Sequence, residues 1–234
     1  MNRQEIRLAV QARIDDTDGV RTTEPELNRY IEDGYTDLAE RTGAVVRTVN
    51  LALSPTQRFV ATPTNMLYPL LMRDLASGLP IDFEDWTFLD KLDFRFVRRT
   101  AQRPEIVASW GLGEFLLSSA YGGSGGSVEV IYAAIPGPLA DNAEPELPVQ
   151  YHEALVHYTH ARTLLKDAHG DIAQKRIGKA KGQFSEYYGL ANSIQRWNFD
   201  RLGIRTVVMG SDTLRIHGLD AFQDSKFDWQ NFSM

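Results

Sequence analysis

Leu147-Pro148-Val149-Gln150-Tyr151-His152-Glu153-Ala154-Leu155 is the stretch of sequence that decides the fold. It follows a long segment that has the composition of strands and turns, and it opens a helix. Pro148 falls in the first turn of that helix, where its missing N–H costs little. The apolar residues that follow keep helical spacing. The chain therefore returns to helical structure here after a β-rich interval.

Residues 1–43 predict two helices that precede the β-rich interval. Apolar side chains repeat every four positions between residues 3 and 15, which is typical of an amphipathic helix. A second helix is predicted to begin near Thr23, because Thr23 and Glu26 have the spacing of a capping box. Gly43 is placed to end that helix.

A second pair of helices is predicted between residues 141 and 194. Gly170 interrupts the helical spacing, and Asp171 can cap the helix that follows. A short turn between two long helices predicts an antiparallel hairpin. The two helix pairs would together form one helical body.

The interval between the helix pairs, residues 44–140, predicts several short strands separated by turn residues. The clearest pair is a hairpin formed by residues 104–110 and 114–119. Residues 83–90 predict one or two helical turns. Short strands at this spacing favour a small antiparallel sandwich or barrel-like module.

The predicted fold class is α+β. It is a split four-helix body, made of an N-terminal helix pair and a C-terminal antiparallel helix hairpin, with an inserted small antiparallel β module and an extended C-terminal tail. The expected divisions are 1–43 for the N-terminal helices, 44–140 for the β-rich module, 141–194 for the helix hairpin and 195–234 for an aromatic-rich docking tail.

The last segment, residues 195–234, is unusually aromatic. A disordered tail should be poor in aromatic residues, so this one is expected to pack on its own subunit or to dock on a neighbour. Aromatic anchors commonly dominate such contacts. The candidate residues for docking on a neighbour are Trp197, Phe199, Phe222, Phe227, Trp229 and Phe232.

A second candidate contact is the glycine-rich loop that contains Gly122, Gly123, Gly125 and Gly126. It lacks the Lys-Ser/Thr ending of a phosphate-binding loop and precedes a strand, whereas such loops lead into a helix. We interpret it as a flexible hairpin tip that becomes ordered on contact with a partner.

Composition excludes several classes of function. The chain has 234 residues and a net charge of −6, which disfavours tight sequence-independent binding of nucleic acid. It has no cysteine, and hence no disulfide, thiolate nucleophile or cysteine zinc site. The sequence also lacks a signal segment and any apolar run near the roughly 20 residues needed to span a bilayer.

Two groups of residues have side chains of the kind found in metal sites or hydrolase active sites. Glu153, His157 and His160 share one helix face, but their spacing is not that of a zinc protease, so no metal site or cofactor is predicted. Carboxylates near Trp86, including Asp85, allow an alternative of a different class, a carbohydrate-active hydrolase. Spacing alone does not show the separation that such a hydrolase needs.

The helical parts of the chain resemble the head-to-tail adaptor (connector) proteins of tailed bacteriophages. The N-terminal likeness is a short helix, then an acidic turn, then an acidic start to the second helix. The matching stretches are Asp15–Arg21, Thr23–Leu27, Leu27–Tyr35, Leu147–Val156, Ala161–Arg162 and Lys166–Ala168.

This resemblance implies a structural protein without enzymatic activity. The family forms a ring below the portal, typically a dodecamer, which extends the DNA channel and offers a docking surface for the tail. Implied partners are the portal protein, other copies of the chain and a tail or nozzle protein, while double-stranded DNA passes without specific binding. The implied location is the head–tail interface of the virion, after assembly in the host cytoplasm and without a membrane. Another phage structural part, a tail-completion or nozzle protein, is the alternative.

Overall fold

The computed structural model describes residues 1–16, 21–85, 87, 100–101, 103–111, 113–122 and 125–202. The chain divides into two compact units. The helical unit contains Met1–Thr48, Asn65–Leu70 and residues 131–202, and the sheet unit contains Val49–Thr64 and Leu71–Val130.

The described part of the chain forms four α-helices, all within the helical unit. They are α1 (Arg3–Ile14), α2 (Glu24–Thr42), α3 (Glu153–Lys166) and α4 (Ala173–Leu202). Short 3-10 turns at Val149–Tyr151 and Gly170–Ile172 precede α3 and α4. None of the described helices combines the length and the apolar character needed to cross a bilayer.

The starts of α1 and α2 are stabilised differently. Asn2 and Glu5 form a capping box at α1, in which each side chain accepts the backbone N–H of the other residue, at 2.9 and 3.0 Å. The capping box predicted from Thr23 and Glu26 is wrong, because Thr23 makes no side-chain cap hydrogen bond. The Glu26 carboxylate instead accepts a hydrogen bond from Lys166 Nζ at 2.5 Å.

Helix α4 continues past Ile194, where the sequence predicted its end. In the added turns, Asn198 is fully buried and its Nδ2 donates to the Gly43 carbonyl at 2.6 Å. Gln195 Nε2 donates to the Arg41 carbonyl at 3.2 Å. These amides satisfy carbonyls that the last turn of α2 leaves without a helical partner.

The core of the helical unit is built from one apolar stripe on each helix. Residues outside the helices also contribute, since Val45, Tyr132 and Ala133 are buried in the same unit. The fully buried helical side chains include Ile6, Val10, Leu27, Ile31, Leu38, Leu155, Tyr187 and Ile194.

Nine strands lie within the described residues. They are β1 (Val46–Leu53), β2 (Phe59–Ala61), β3 (Met66–Asp74), β4 (Pro80–Glu84), β5 (Thr100–Ala101), β6 (Ile106–Trp110), β7 (Glu114–Leu117), β8 (Ala120–Tyr121) and β9 (Gly126–Ala134). Seven of them form one sheet in the order β1-β9-β3-β4-β6-β7-β2, while β5 and β8 form a separate parallel pair. The predicted hairpin is confirmed, because β6 and β7 pair antiparallel with Trp110 opposite Glu114.

The predicted fold class, a split four-helix body with a small antiparallel β insert, is wrong. The sheet has seven strands, and β4 runs parallel to β6. Strands β1, β3 and β9 each contribute residues to both units, so the strands are not a separate insert. The extended tail of the prediction is also altered, since residues 195–202 belong to α4 and residues 203–234 lie outside the described part.

One local error contributes to the underestimate of strand content. Pro69 lies inside β3. Strand β4 pairs with Met72 and Arg73, beyond the proline, so the missing N–H leaves that pairing intact. Phe83 and Glu84, assigned to a helical turn, form the end of β4.

Candidate docking surfaces

The structure describes only part of the predicted aromatic tail. Trp197 lies in α4, and its ring centroid is 6.3 Å from that of Tyr151, within the helical unit. The side chain of Phe199 lies outside the described residues, as do Phe222, Phe227, Trp229 and Phe232. Their docking role stays a prediction.

The glycine-rich loop has a structural reason for its composition. Gly125 has a φ of +91°, and a Cβ there would collide with the Leu53 carbonyl oxygen. A Cβ at Gly126 would collide with an aromatic ring of β8. Gly122 precedes these residues, and Gly123 lies outside the described part. The predicted contact between this loop and a partner stays a prediction.

Ion pairs and backbone hydrogen bonds join the first turn of α1 to the linker that precedes α3. Asp141 lies between Arg3 Nε, at 2.8 Å, and Arg7 Nη1, at 3.5 Å. The backbone N–H groups of Arg3 and Gln4 donate to the carbonyls of Ala143 and Asp141, at 3.3 and 3.2 Å. Helix N–H groups that lack an intrahelical acceptor are thereby satisfied by a distant segment.

The candidate metal-binding face of α3 is engaged in other contacts. Glu153 forms an ion pair with Arg13 of α1, and His157 Nδ1 lies 2.8 Å from Gln183 Oε1 of α4. His160 is half-buried, and this burial lowers its pKa. Among the described residues no group of three or more His, Asp or Glu side chains has the geometry to hold a metal ion.

Asp37 joins α2 to α4 through a buried polar contact. Its Oδ2 accepts hydrogen bonds from Tyr187 Oη at 2.6 Å and from Arg41 Nε at 2.7 Å. Burial lowers the pKa of Arg41, but the hydrogen bond and charge of Asp37 outweigh it, so that pKa lies above its ordinary value. The Arg41 guanidinium also lies 5.3 Å from the ring centroid of Tyr188.

The 3-10 turn before α4 and the beginning of α4 present an exposed basic face, which we call the lysine face and define as Ile172, Lys175 and Lys179. Their spacing of three and four positions puts them on one side of the helix. Ile172 is 49% exposed, and both lysines are exposed. Neither lysine forms an ion pair with any residue in the described ranges.

In the sheet unit, the two faces of strands β4, β6, β7 and β2 differ in the exposed side chains that they carry. One face is core, in which Val107, Phe115 and Leu117 are fully buried. The pairing register puts a mixed set of apolar and acidic side chains on the other face, which we call the strand face. Its members are Asp82, Glu84, Ile106, Ala108, Trp110, Glu114, Leu116 and Phe59.

An aromatic pair dominates the apolar part of the strand face. The rings of Phe59 and Trp110 meet edge to face, with centroids 5.9 Å apart, and each residue is 43% exposed. The neighbouring Ala108 and Leu116 are buried and packed together, with Ile106 against them. Large exposed apolar groups that lie together are a common mark of an interaction site.

Carboxylates surround the apolar part of the strand face. The register sets Asp82 beside Ile106, Glu84 beside Ala108, and Glu114 beside Trp110. None of these three carboxylates forms an ion pair within the part of the chain that the structure describes. The strand face therefore combines exposed aromatic surface with carboxylates that have no ion pair among the described residues.

A buried carboxylate organises the turn between β3 and β4. Asp74 is 2% exposed and accepts hydrogen bonds from the Ser77 N–H (2.7 Å), the Ser77 hydroxyl (2.6 Å) and the Tyr121 hydroxyl (2.7 Å). Burial raises the pKa of Asp74, but these hydrogen bonds outweigh it and hold that pKa below its ordinary value. Burial and the nearby Asp74 carboxylate raise the pKa of Tyr121. This group is structural.

The model of the SU10 adaptor protein family matches residues 1–206, which include all four described helices and all nine described strands. The chain belongs to the SU10 adaptor protein family. It is therefore a structural phage adaptor and a component of the virion. The resemblance to head-to-tail adaptors is confirmed. No curated protein gave a significant sequence match.

Two surface features of this SU10 adaptor family member were not predicted from the sequence. The strand face depends on the parallel pairing of β4 with β6, which joins residues far apart in the chain. The lysine face was visible only as a lysine-rich start to a helix. Exposed and buried residues alternate in β2, where Val60 is buried and Phe59 is exposed. This alternation could have predicted an exposed aromatic residue on an amphipathic strand.

Proposed function

We propose that the chain is a head-to-tail adaptor that forms a ring of copies below the portal, extends the DNA channel and presents a docking surface for the tail. The observation that carries this proposal is the match of one adaptor family model to residues 1–206, across both units. A structural adaptor needs surfaces for several partners and has no need of a catalytic constellation.

The surface of the helical unit supports repeated contacts with other proteins. Leu8, Val149 and Ile172 are 55%, 65% and 49% exposed, and such side chains gain stability when a neighbour covers them. The net charge of −6 disfavours tight retention of DNA, which suits a channel that DNA traverses.

We assign portal docking to the aromatic residues beyond α4. Trp197 already packs beside Tyr151 within the helical unit, so the candidates for docking are the four aromatic residues that follow residue 202. Buried aromatic anchors supply a large share of binding energy at protein interfaces. The glycine-rich loop around Gly122 is proposed as a further contact with tail or nozzle protein.

Co-expression with the portal protein of the same genome tests the adaptor proposal. We expect the two proteins to copurify, and native mass spectrometry to count several copies of this chain on each portal ring. Failure to bind the portal, or absence of the chain from purified virions, would contradict the proposal. Binding to tail protein without binding to the portal would favour a tail-completion role instead.

Truncation tests the docking role of the tail. A chain ending at Leu202 keeps Asn198 and Trp197, so the helical unit should fold as before while portal binding is lost. A finer variant replaces Phe222, Phe227, Trp229 and Phe232 with serine. Its matched control replaces Ser211, Thr213, Gln223 and Gln230 with alanine and should bind normally. Equal binding by both variants would refute the aromatic docking role.

A further inference from the structure

We propose that neighbouring copies of the chain contact each other through the strand face of one copy and the lysine face of the next. This inference rests on the proposed ring and names the two surfaces that join its subunits. The two surfaces carry charges of opposite sign, and each has exposed apolar side chains.

The strand face needs a partner that brings both apolar cover and positive charge. The half-exposed rings of Phe59 and Trp110 gain by burial. Carboxylates at Asp82, Glu84 and Glu114 stand around them without an ion pair among the described residues. A purely apolar partner would bury those charges uncompensated, which is costly.

The lysine face has both of these properties. Ile172 supplies an exposed apolar side chain, and Lys175 and Lys179 supply cations on the same side of the helix. Lysine stems lie well along apolar surface while the ammonium group stays in contact with water or a carboxylate. An ammonium group over the exposed ring of Trp110 would add a favourable cation–π contact.

Three other cations of the helical unit, on α1, α3 and α4, form ion pairs within the subunit. Arg13 pairs with Glu153, Lys166 with Glu26, and Arg176 with Asp167 at 2.6 Å. Lys175 and Lys179 have no such partner in the described part of the chain, although they extend from the same helix as Arg176. A contact between copies would pair the carboxylates of the strand face with lysines that have no ion pair among the described residues.

The two faces are different surfaces of one chain, so their contact is heterologous. A heterologous contact leaves one unused face on each side of a pair, and further copies add until the rotation closes into a ring. A contact between identical faces would instead stop at a dimer. The proposed pairing is thus of the kind that a ring requires.

Selective cross-linking tests the contact directly, because the chain has no cysteine of its own. A variant with Glu114→Cys and Lys179→Cys is purified in complex with the portal and treated with a short bis-maleimide. We expect a ladder of covalent oligomers on a denaturing gel. The matched control combines Lys179→Cys with Glu40→Cys, an exposed carboxylate on α2, and should give no ladder.

Each outcome separates this inference from the proposed function. A ladder for the first variant alone supports the contact. Equal ladders from both variants, or no ladder although several copies bind each portal, overturn the contact and leave the adaptor function standing. If no copy binds the portal, the adaptor proposal and the contact both fail.

Charge reversal gives a second measurement. Lys175→Glu together with Lys179→Glu should weaken association of copies on the portal about two- to thirtyfold, the amount expected from two exposed ion pairs. Adding Asp82→Lys and Glu114→Lys should restore association, whereas Glu40→Lys should not. Lack of weakening, or lack of restoration in variants with normal circular dichroism spectra, would overturn the proposal.

Discussion

The helical unit and the strand face of the sheet unit differ in how their charged side chains are paired. In the helical unit, ion pairs such as Arg3–Asp141 and Lys166–Glu26 tie together segments that lie far apart in the sequence. In the sheet unit, the carboxylates of the strand face have no ion pair among the described residues. Ion-paired side chains hold the fold, whereas the strand face and the lysine face carry charges that have no ion pair among the described residues and are available to partners.

The difference follows from how each kind of element satisfies its backbone. A helix satisfies its own backbone except at its ends, so side chains must hold one helix to the next. Strands are joined by their backbone hydrogen bonds, and the apolar core below them supplies the remaining stability. The exposed carboxylates of the strand face, Asp82 and Glu114, are consequently not needed to hold the sheet together.

The largest expected effect is loss of core packing in the sheet unit. Phe115 is fully buried, and Phe115→Ala should lower the free energy of unfolding by about 3–5 kcal/mol. Urea denaturation followed by circular dichroism measures the change. The control Phe115→Leu should cost less than about 1.5 kcal/mol. A cost near zero for the alanine variant would mean that this apolar core does not hold the sheet unit.

The buried carboxylate of the sheet unit gives the next effect. Tyr121→Phe removes a hydrogen bond to Asp74 and should cost about 1.5–3 kcal/mol at neutral pH. Because the folded pKa of Asp74 is lowered, its contribution is present above the unfolded pKa and is lost as pH falls through the folded pKa. The cost should therefore shrink in acid.

A matched tyrosine makes this pH test specific. The Tyr132 hydroxyl donates to Asn65 Oδ1, a neutral acceptor, at 3.1 Å. The cost of Tyr132→Phe should stay constant between neutral pH and pH values below the ordinary pKa of an aspartate. Parallel pH curves for the two variants would show that the Asp74 charge does not contribute to stability.

In the helical unit, the buried side-chain amide of Asn198, which contacts the end of α2, should contribute almost as much to stability. Asn198→Ala leaves the Gly43 carbonyl without its donor and should cost about 1–3 kcal/mol. Ser193→Ala, at an exposed position of α4, should change stability by less than about 0.5 kcal/mol. Equal effects in thermal or urea unfolding would show that the amide contact is dispensable.

The smallest expected effect is loss of a surface ion pair. Lys166→Ala should cost about 1 kcal/mol or less, and added salt should reduce that cost. The hydrogen bond from Lys166 lowers the pKa of Glu26, so the contribution should disappear as pH falls through the folded pKa of Glu26. Lys175→Ala should change stability by less than about 0.5 kcal/mol at every salt concentration.

Local patterns predicted the helices well and the end of α4 poorly. Spacing of apolar residues located α1 and α2, because a helix buries one stripe of its own sequence. Asn198 continues the buried stripe after Ile194, yet a polar residue there predicts the end of a helix. Only the position of the α2 carbonyls explains why an amide is buried at that point.

The sheet was harder to predict because its order depends on distant pairings. The hairpin of β6 and β7 is local and was predicted, whereas the parallel pairing of β4 with β6 is not local. Neither candidate docking face was visible until strand register and helix bounds were known.

The closure of α1 onto Asp141 has a consequence for synthesis of the chain. Arg3 and Asp141 are separated by 138 residues, so α1 leaves the ribosome long before its partner segment. At about 5–20 residues per second, the delay is roughly 7–28 s. Apolar side chains such as Ile31 and Leu38 lack their final neighbours on α3 and α4 during that time. The nascent chain should therefore be a client of chaperones that hold exposed apolar helices, and completion of α3 should release it.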